Sequence, residues 1–159
     1  MKAVTVKEIK EALHHSSHQE ILELCLRLSK FKKENKELLT YLLFEASDEG
    51  GFITSVKAEI DVQFELINTK TYYFIKKSVR KILRMVKKYI RYSANKETEV
   101  ELLLYFCQKL KVFTPSIQKN AVLKKLYLRE LLAIRKKVTT LHEDLQHDYA
   151  LELEGLELS

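Results

Sequence analysis

Between Leu66 and Lys96 the chain has no acidic residue and nine basic ones: Lys70, Lys76, Lys77, Arg80, Lys81, Arg84, Lys87, Lys88 and Arg91. On a helix turning about 100° per residue, the charges from Lys76 to Arg91 fall on one arc of about 140°. The opposite arc holds Tyr72, Ile75, Val79, Ile82, Leu83, Val86 and Ile90. Apolar residues at spacings of three and four define a two-sided helix, with a stripe that requires a core and a cationic face turned away from it.

The rest of the chain must supply that core with helices. One Pro and three Gly in 159 residues leave little material for tight turns, whereas hairpin-rich folds need Gly, Asn and Pro at turn positions. Thr5 with Glu8 and Ser17 with Glu20 fit the capping box, predicting helix starts near Val6 and His18. A third helix is expected over roughly Asn35 to Ala46. Gly50-Gly51, after Asp48-Glu49, reads as a loop that ends it through a left-handed glycine. Asn68 and Asn95 are candidate caps for the basic helix, from Lys70 to Arg91, and for its successor. Thr114-Pro115 reads as a helix start, because proline is favoured at the first helical position. Thr140 with Glu143 either opens a last helix or lies inside one long helix from Pro115.

Val56 to Leu66 alternates apolar and polar residues like a half-buried strand, yet Ile53, Val56, Ile60, Phe64 and Ile67 also fit a helix. A lone strand would leave its backbone hydrogen bonds unpaired, which favours the helix. The runs Leu38 to Phe44 and Leu102 to Phe106 are apolar nearly all round and predict helices covered on more than one side.

The expected fold is therefore all-α, a single domain over residues 1–150 with about seven to eight helices. Residues 151–159 form an acidic tail that can fray into disorder. Helix starts near residues 6, 18, 35, 54, 69, 96 and 115 space alternate helices by roughly 29 to 46 residues, a range that includes the HEAT-type period. A short right-handed α–α superhelix is the first reading and a closed helical bundle the alternative.

Charge is sorted along the chain. Residues 1–69 have a net charge of −3, residues 70–137 of +15, and residues 138–159 of −6. Such asymmetry bears on partners. A solvated face kept for solubility normally mixes signs, since like charges at i,i+4 repel by a few tenths of a kcal/mol. Here Lys76–Arg80, Lys77–Lys81, Arg80–Arg84, Arg84–Lys88 and Lys87–Arg91 are all repulsive. The face suits a nucleic-acid phosphate backbone or an acidic protein surface, and Tyr73 lies within it as a candidate stacking platform, with Phe74 and Tyr92 at the edge. Arg80, Arg84 and Lys87 project away from the stripe, so reversing their charge is expected to spare the fold. The acidic tail, with its own stripe of Leu141, Leu145, Tyr149, Leu153 and Leu156, is a candidate to mask the face.

Nothing in the sequence announces catalysis. No phosphate loop, dinucleotide fingerprint or nucleophile elbow is present. His14 and His18 have ligand spacing, but the predicted break at Ser16-Ser17 separates them. His142 and His147 would point about 140° apart on a helix, so no metal and no cofactor is expected. Cys25 and Cys107 sit in apolar runs and read as buried hydrophobes. The longest nearly apolar run is far short of the ~20 residues of a membrane span, and a cytoplasmic protein is expected. Helical-repeat DNA glycosylases have a similar architecture and a basic face. The resemblance is at fold level only, and with no Trp here it transfers no catalytic residue. The expected function is a non-enzymatic binding module for an anionic partner. A pure protein–protein scaffold is the alternative, and a nucleic-acid enzyme a distant one.

Overall fold

Local capping chemistry sets the first two helix starts. A computed structural model describes residues 1–158. In it Thr5 caps α1 (Val6–His14) and Ser17 caps α2 (His18–Phe31), each in a full capping box. The Glu8 and Glu20 carboxylates accept from Thr5 and Ser17 at 2.7–2.8 Å, and these bonds hold both groups below the usual carboxylate range. Then come α3 (Lys33–Thr40), a π-helical turn (Tyr41–Glu45), α4 (Glu49–Glu65), α5 (Tyr72–Ser93) and α6 (Lys96–Lys111). A 3₁₀ turn (Ile117–Lys119), α7 (Ala121–Val138) and α8 (Glu143–Glu154) complete the order. There is no strand among the described residues.

Several boundaries differ from the sequence expectation. Gly50 and Gly51 lie in the first turn of α4 and do not end the helix before it: Asp48 caps α4, accepting from the Gly51 N–H at 3.0 Å. A Cβ on Gly51 would collide with that carboxylate, so glycine permits the close cap. Val56 to Leu66 is helical apart from the capping Leu66, and the four-residue spacing that buries Val56, Ile60 and Phe64 prevails over the alternation. Asn68 does not cap α5; it accepts from Lys70 N–H, leaving Lys70 ahead of the helix. Pro115 sits in the connection after α6, joined to Thr114 by a cis bond. Ser116 caps the 3₁₀ turn, and Asn120 caps α7. Asn95 caps α6 as expected.

The chain forms two compact units, one of residues 1–44 and one beginning at Glu45. In the first, α2 packs on α3, and Asn35 Nδ2 donates to the Leu28 carbonyl at 2.8 Å. None of α1 to α3 buries a residue fully. Tyr41 is buried, but Leu42, Leu43 and Phe44 are exposed, Phe44 by 73%. The expectation that Leu38 to Phe44 is covered on several sides therefore fails at its end. Cys25 is only half-buried, whereas Cys107 is fully buried as expected.

In the second unit α6 is the centre. Val100, Leu102, Leu103, Leu104, Phe106, Cys107 and Leu110 are all buried, and α4, α5 and α7 pack on α6, with α8 against α7. Polar contacts recur between residues 44 apart. Lys57 meets Glu101 at 2.6 Å, Asp61 accepts from Tyr105 at 2.8 Å, Lys111 Nζ donates to the Gly155 carbonyl at 2.8 Å, and Tyr72 donates to that of Ser116 at 2.8 Å. Desolvation would raise the Asp61 pKa, but hydrogen bonds from Lys109 and Tyr105 outweigh it and hold the carboxyl low. Tyr149, Leu153 and Leu156 are buried as well, and Tyr127 donates to the Leu156 carbonyl at 2.5 Å.

Two stability predictions follow from this packing. Replacing Leu103, buried at the centre, by Ala is expected to cost about 2–5 kcal/mol in urea unfolding. A loss below about 0.5 kcal/mol would place α6 at the surface. Ala94 ends α5 in the left-handed region at φ 53°, where a Cβ is strained and glycine is not. Ala94→Gly is expected to raise stability by about 0.5–1 kcal/mol, after the entropy gained by the unfolded chain is deducted.

Candidate anion-binding cleft

The stripe on α5 decides where its charges go. Ile75, Val79, Ile82, Leu83 and Val86 are buried, so the basic residues of the other face point away from α6. Part of that face forms one wall of a cleft of about 830 Å³ between α5 and α7. Lys76, Lys77, Arg80, Arg84 and Lys87 line it from α5, and Lys125 and Arg129 from α7. Its floor is apolar, made by Leu83 and Leu126 with Val122 beside them, and Tyr73 closes the end nearest the start of α5. No carboxylate lines it among the described residues. From residue 73 to residue 87 the α5 wall runs for about 21 Å at 1.5 Å per residue.

Behind this wall lies a buried negative charge. Glu130 on α7 is 1% exposed. Its Oε1 accepts from Arg129 Nη2 at 2.9 Å and Nε at 3.1 Å. Its Oε2 has the Lys87 ammonium at 2.8 Å, an ion pair at too poor an angle for a hydrogen bond. A buried carboxylate needs such partners, because desolvating an unpaired charge costs several kcal/mol. Lys87 thus ties α5 to α7 as well as lining the cleft. Its charge cannot be reversed without placing two carboxylates together, which corrects the expectation that Lys87 is a neutral site for reversal.

The nine basic residues singled out in the sequence divide into two groups. Lys76, Lys77, Arg80, Arg84 and Lys87 come together in the cleft, while Lys70, Lys81, Lys88 and Arg91 do not line it. The Lys88 ammonium stands 5.1 Å from the centre of the Tyr89 ring and 6.0 Å from that of Tyr92. Tyr92 is buried and is not at the edge of the face. Tyr73 is 66% exposed, with the Phe74 ring edge-on at 5.4 Å. Lys125 and Arg129 were missed, although they belong to the strongly positive segment. Their i,i+4 spacing puts them on one face of α7, but only the packing of α7 beside α5 turns that face toward the cleft.

The remaining candidates lie apart from the cleft. His14 ends α1 and His18 begins α2, and no group of three or more His, Cys, Asp or Glu side chains among the described residues could hold a metal. Burial, reinforced by the Glu130 charge, pushes the Cys107 thiol up to about 12, so it is neutral at pH 7 and a poor nucleophile. No acidic residue of the chain end lines the cleft; Glu157 pairs with Arg135 at 2.5 Å and Glu152 with Gln108 at 3.4 Å. No helix among the described residues is long and apolar enough to cross a membrane. Compared with protein-family profiles, curated proteins and solved structures, the chain matches none.

The buried pair generates a prediction. Lys87→Met leaves Glu130 with Arg129 alone, and because the Lys87 side chain is 45% exposed the expected cost is about 1–3 kcal/mol, below that of a fully buried pair. Adding Glu130→Gln to Lys87→Met should recover much of the loss in urea unfolding. Strict additivity of the two substitutions would show that the charges are not coupled.

Proposed function

We propose that this protein is a non-enzymatic binding module that holds a polyanionic partner in the cleft between α5 and α7. One observation carries the reading: cations from two helices far apart in sequence line one concave site with no acidic side chain among them. A face kept for solubility gains nothing from like charges converging across a cleft. Low-dielectric walls lined by one sign of charge focus the potential and concentrate anions. Phosphates or carboxylates would meet Lys77, Arg80, Arg84 and Lys125, with Lys87 and Arg129 shared with Glu130.

We read residues 45–158 as a short right-handed α–α superhelix of HEAT-like kind. Two regularities support this over a closed bundle: each helix packs on its neighbour in sequence, with α4 also on α6, and cross-helix contacts recur at a separation of 44 residues. That separation falls within the HEAT and armadillo period of about 40–47 residues. The two unpaired cysteines accord with a cytoplasmic, reducing compartment. A second reading, a protein-interaction scaffold, is favoured by the consecutive exposed Leu42, Leu43 and Phe44 of the first unit, since contiguous exposed apolar side chains mark interaction sites.

The test is a charge reversal that spares Lys87. Lys77→Glu, Arg80→Glu and Arg84→Glu together should leave unfolding unchanged or slightly harder, because three repulsive i,i+4 pairs become attractive: 76–80, 77–81 and 84–88. Retention on heparin should collapse. With single-stranded DNA as the probe, the slope of log affinity against log salt should fall by about 0.7 per lost phosphate contact. If the triple variant bound every polyanion as the parent does, the cleft would be only a solvated surface.

A further inference from the structure

The class of polyanion can be narrowed, on the premise that the cleft binds one at all. We infer that the partner is a single-stranded nucleic acid, its phosphates on the two basic walls and an unstacked base on the Tyr73 ring. Three observations lead there. The first is the exposure of Tyr73 itself, a ring 66% open to solvent that lines the same cleft as Lys76 and Lys77. It is braced edge-on by Phe74 at 5.4 Å. A braced ring loses little freedom when a second ring stacks on it, and aromatic platforms beside cationic tracks are how single strands are held without sequence preference.

The second observation is the floor. Val122, 40% exposed, offers apolar surface among the cations, with the nearly buried Leu83 and Leu126 beneath it. A site for carboxylates or sulfates alone has no use for that surface. Splayed bases, each with an apolar face, would cover it while their phosphates reach the rims. The third observation is size and shape. At about 830 Å³ the cleft falls within the range of about 300–1,000 Å³ typical of small-ligand sites. It takes a few unstacked nucleotides, whereas a duplex has its bases stacked inside and its phosphates on a convex surface. Arg80, Arg84 and Arg129 add planar guanidinium groups, which pair with phosphate in a fork and also stack on bases.

The experiment compares probes that separate charge from bases. Fluorescence anisotropy at fixed salt would follow binding of single-stranded RNA and DNA, an abasic strand of equal length, a DNA duplex, inorganic polyphosphate and polyglutamate. Single strands of either sugar should bind most tightly. Tyr73→Ala should weaken them by about fivefold to a hundredfold and leave polyphosphate and the abasic strand unchanged. Tyr73→Trp should retain binding, and the salt slope should not move, because no phosphate contact is lost. Equal binding of abasic and normal strands, or no effect of Tyr73→Ala, would overturn the stacking inference while the cleft reading stands. Preference for polyglutamate would assign the cleft to an acidic protein instead. Failure to bind any of the probes would overturn both.

Discussion

A helix buried on most of its sides organises the second unit. The run from Val100 to Leu110 on α6 buries apolar side chains around most of its circumference, and this surface can be covered only by neighbours on several sides. α4, α5 and α7 supply that cover. Each must spend its own apolar stripe on α6, which fixes the rotation of each helix about its axis. For α5 the consequence is electrostatic. Once Ile75, Val79, Ile82 and Val86 are committed to the core, the Lys and Arg residues of the other face can point only to solvent or toward the next helix. The repulsion along that face, a few tenths of a kcal/mol per pair, is small beside the burial of the stripe, at roughly 1.5–3 kcal/mol per large apolar side chain.

Repulsion across the cleft is a different matter, because there two helices present the same sign of charge to each other. Glu130 answers it from below. Its carboxylate is buried between Lys87 and Arg129, so one negative charge lies beside the cleft without lining it. The pair also joins α5 to α7, the two helices whose separation sets the width of the cleft. A buried ion pair is often no better for stability than a well-packed apolar pair. Here it links α5 to α7 through one ion pair and offsets part of the positive charge beside the cleft.

What the sequence disclosed was mostly local. The capping boxes at Thr5 and Ser17, the Asn95 cap and the two-sided character of α5 all depend on residues within a turn or two of each other. Gly50-Gly51 misled because glycine after an aspartate can open a helix as readily as end one, and the deciding fact is how closely Asp48 folds over Gly51. Thr114-Pro115 misled because the start signal at Asn120 lies a few residues further on. The cleft was half legible. Five of the nine basic residues expected on α5 line it, but Lys125, Arg129 and the role of Glu130 depend on how α7 registers against α5, which no periodicity encodes. Leu42, Leu43 and Phe44 were assigned to a covered helix because composition alone cannot tell a buried apolar run from an exposed one.

The sorted charge of the chain finally bears on the range over which the cleft can act. The whole protein carries only +6, because the acidic beginning and end offset the middle, and the partners seen for Glu152 and Glu157 are Gln108 and Arg135, outside the cleft. At physiological salt, charges are screened beyond about 8 Å. An anion at a distance therefore meets a mixed surface and little steering, whereas one inside the cleft stands within a screening length of several cations at once. Under the proposed function, attraction of this kind would be short-ranged, steep in salt, and selective for ligands narrow enough to enter. A chain with the same basic residues spread over its surface would bind polyanions of any shape; on that reading, gathering them on two helices that both pack on α6 would make shape part of the recognition.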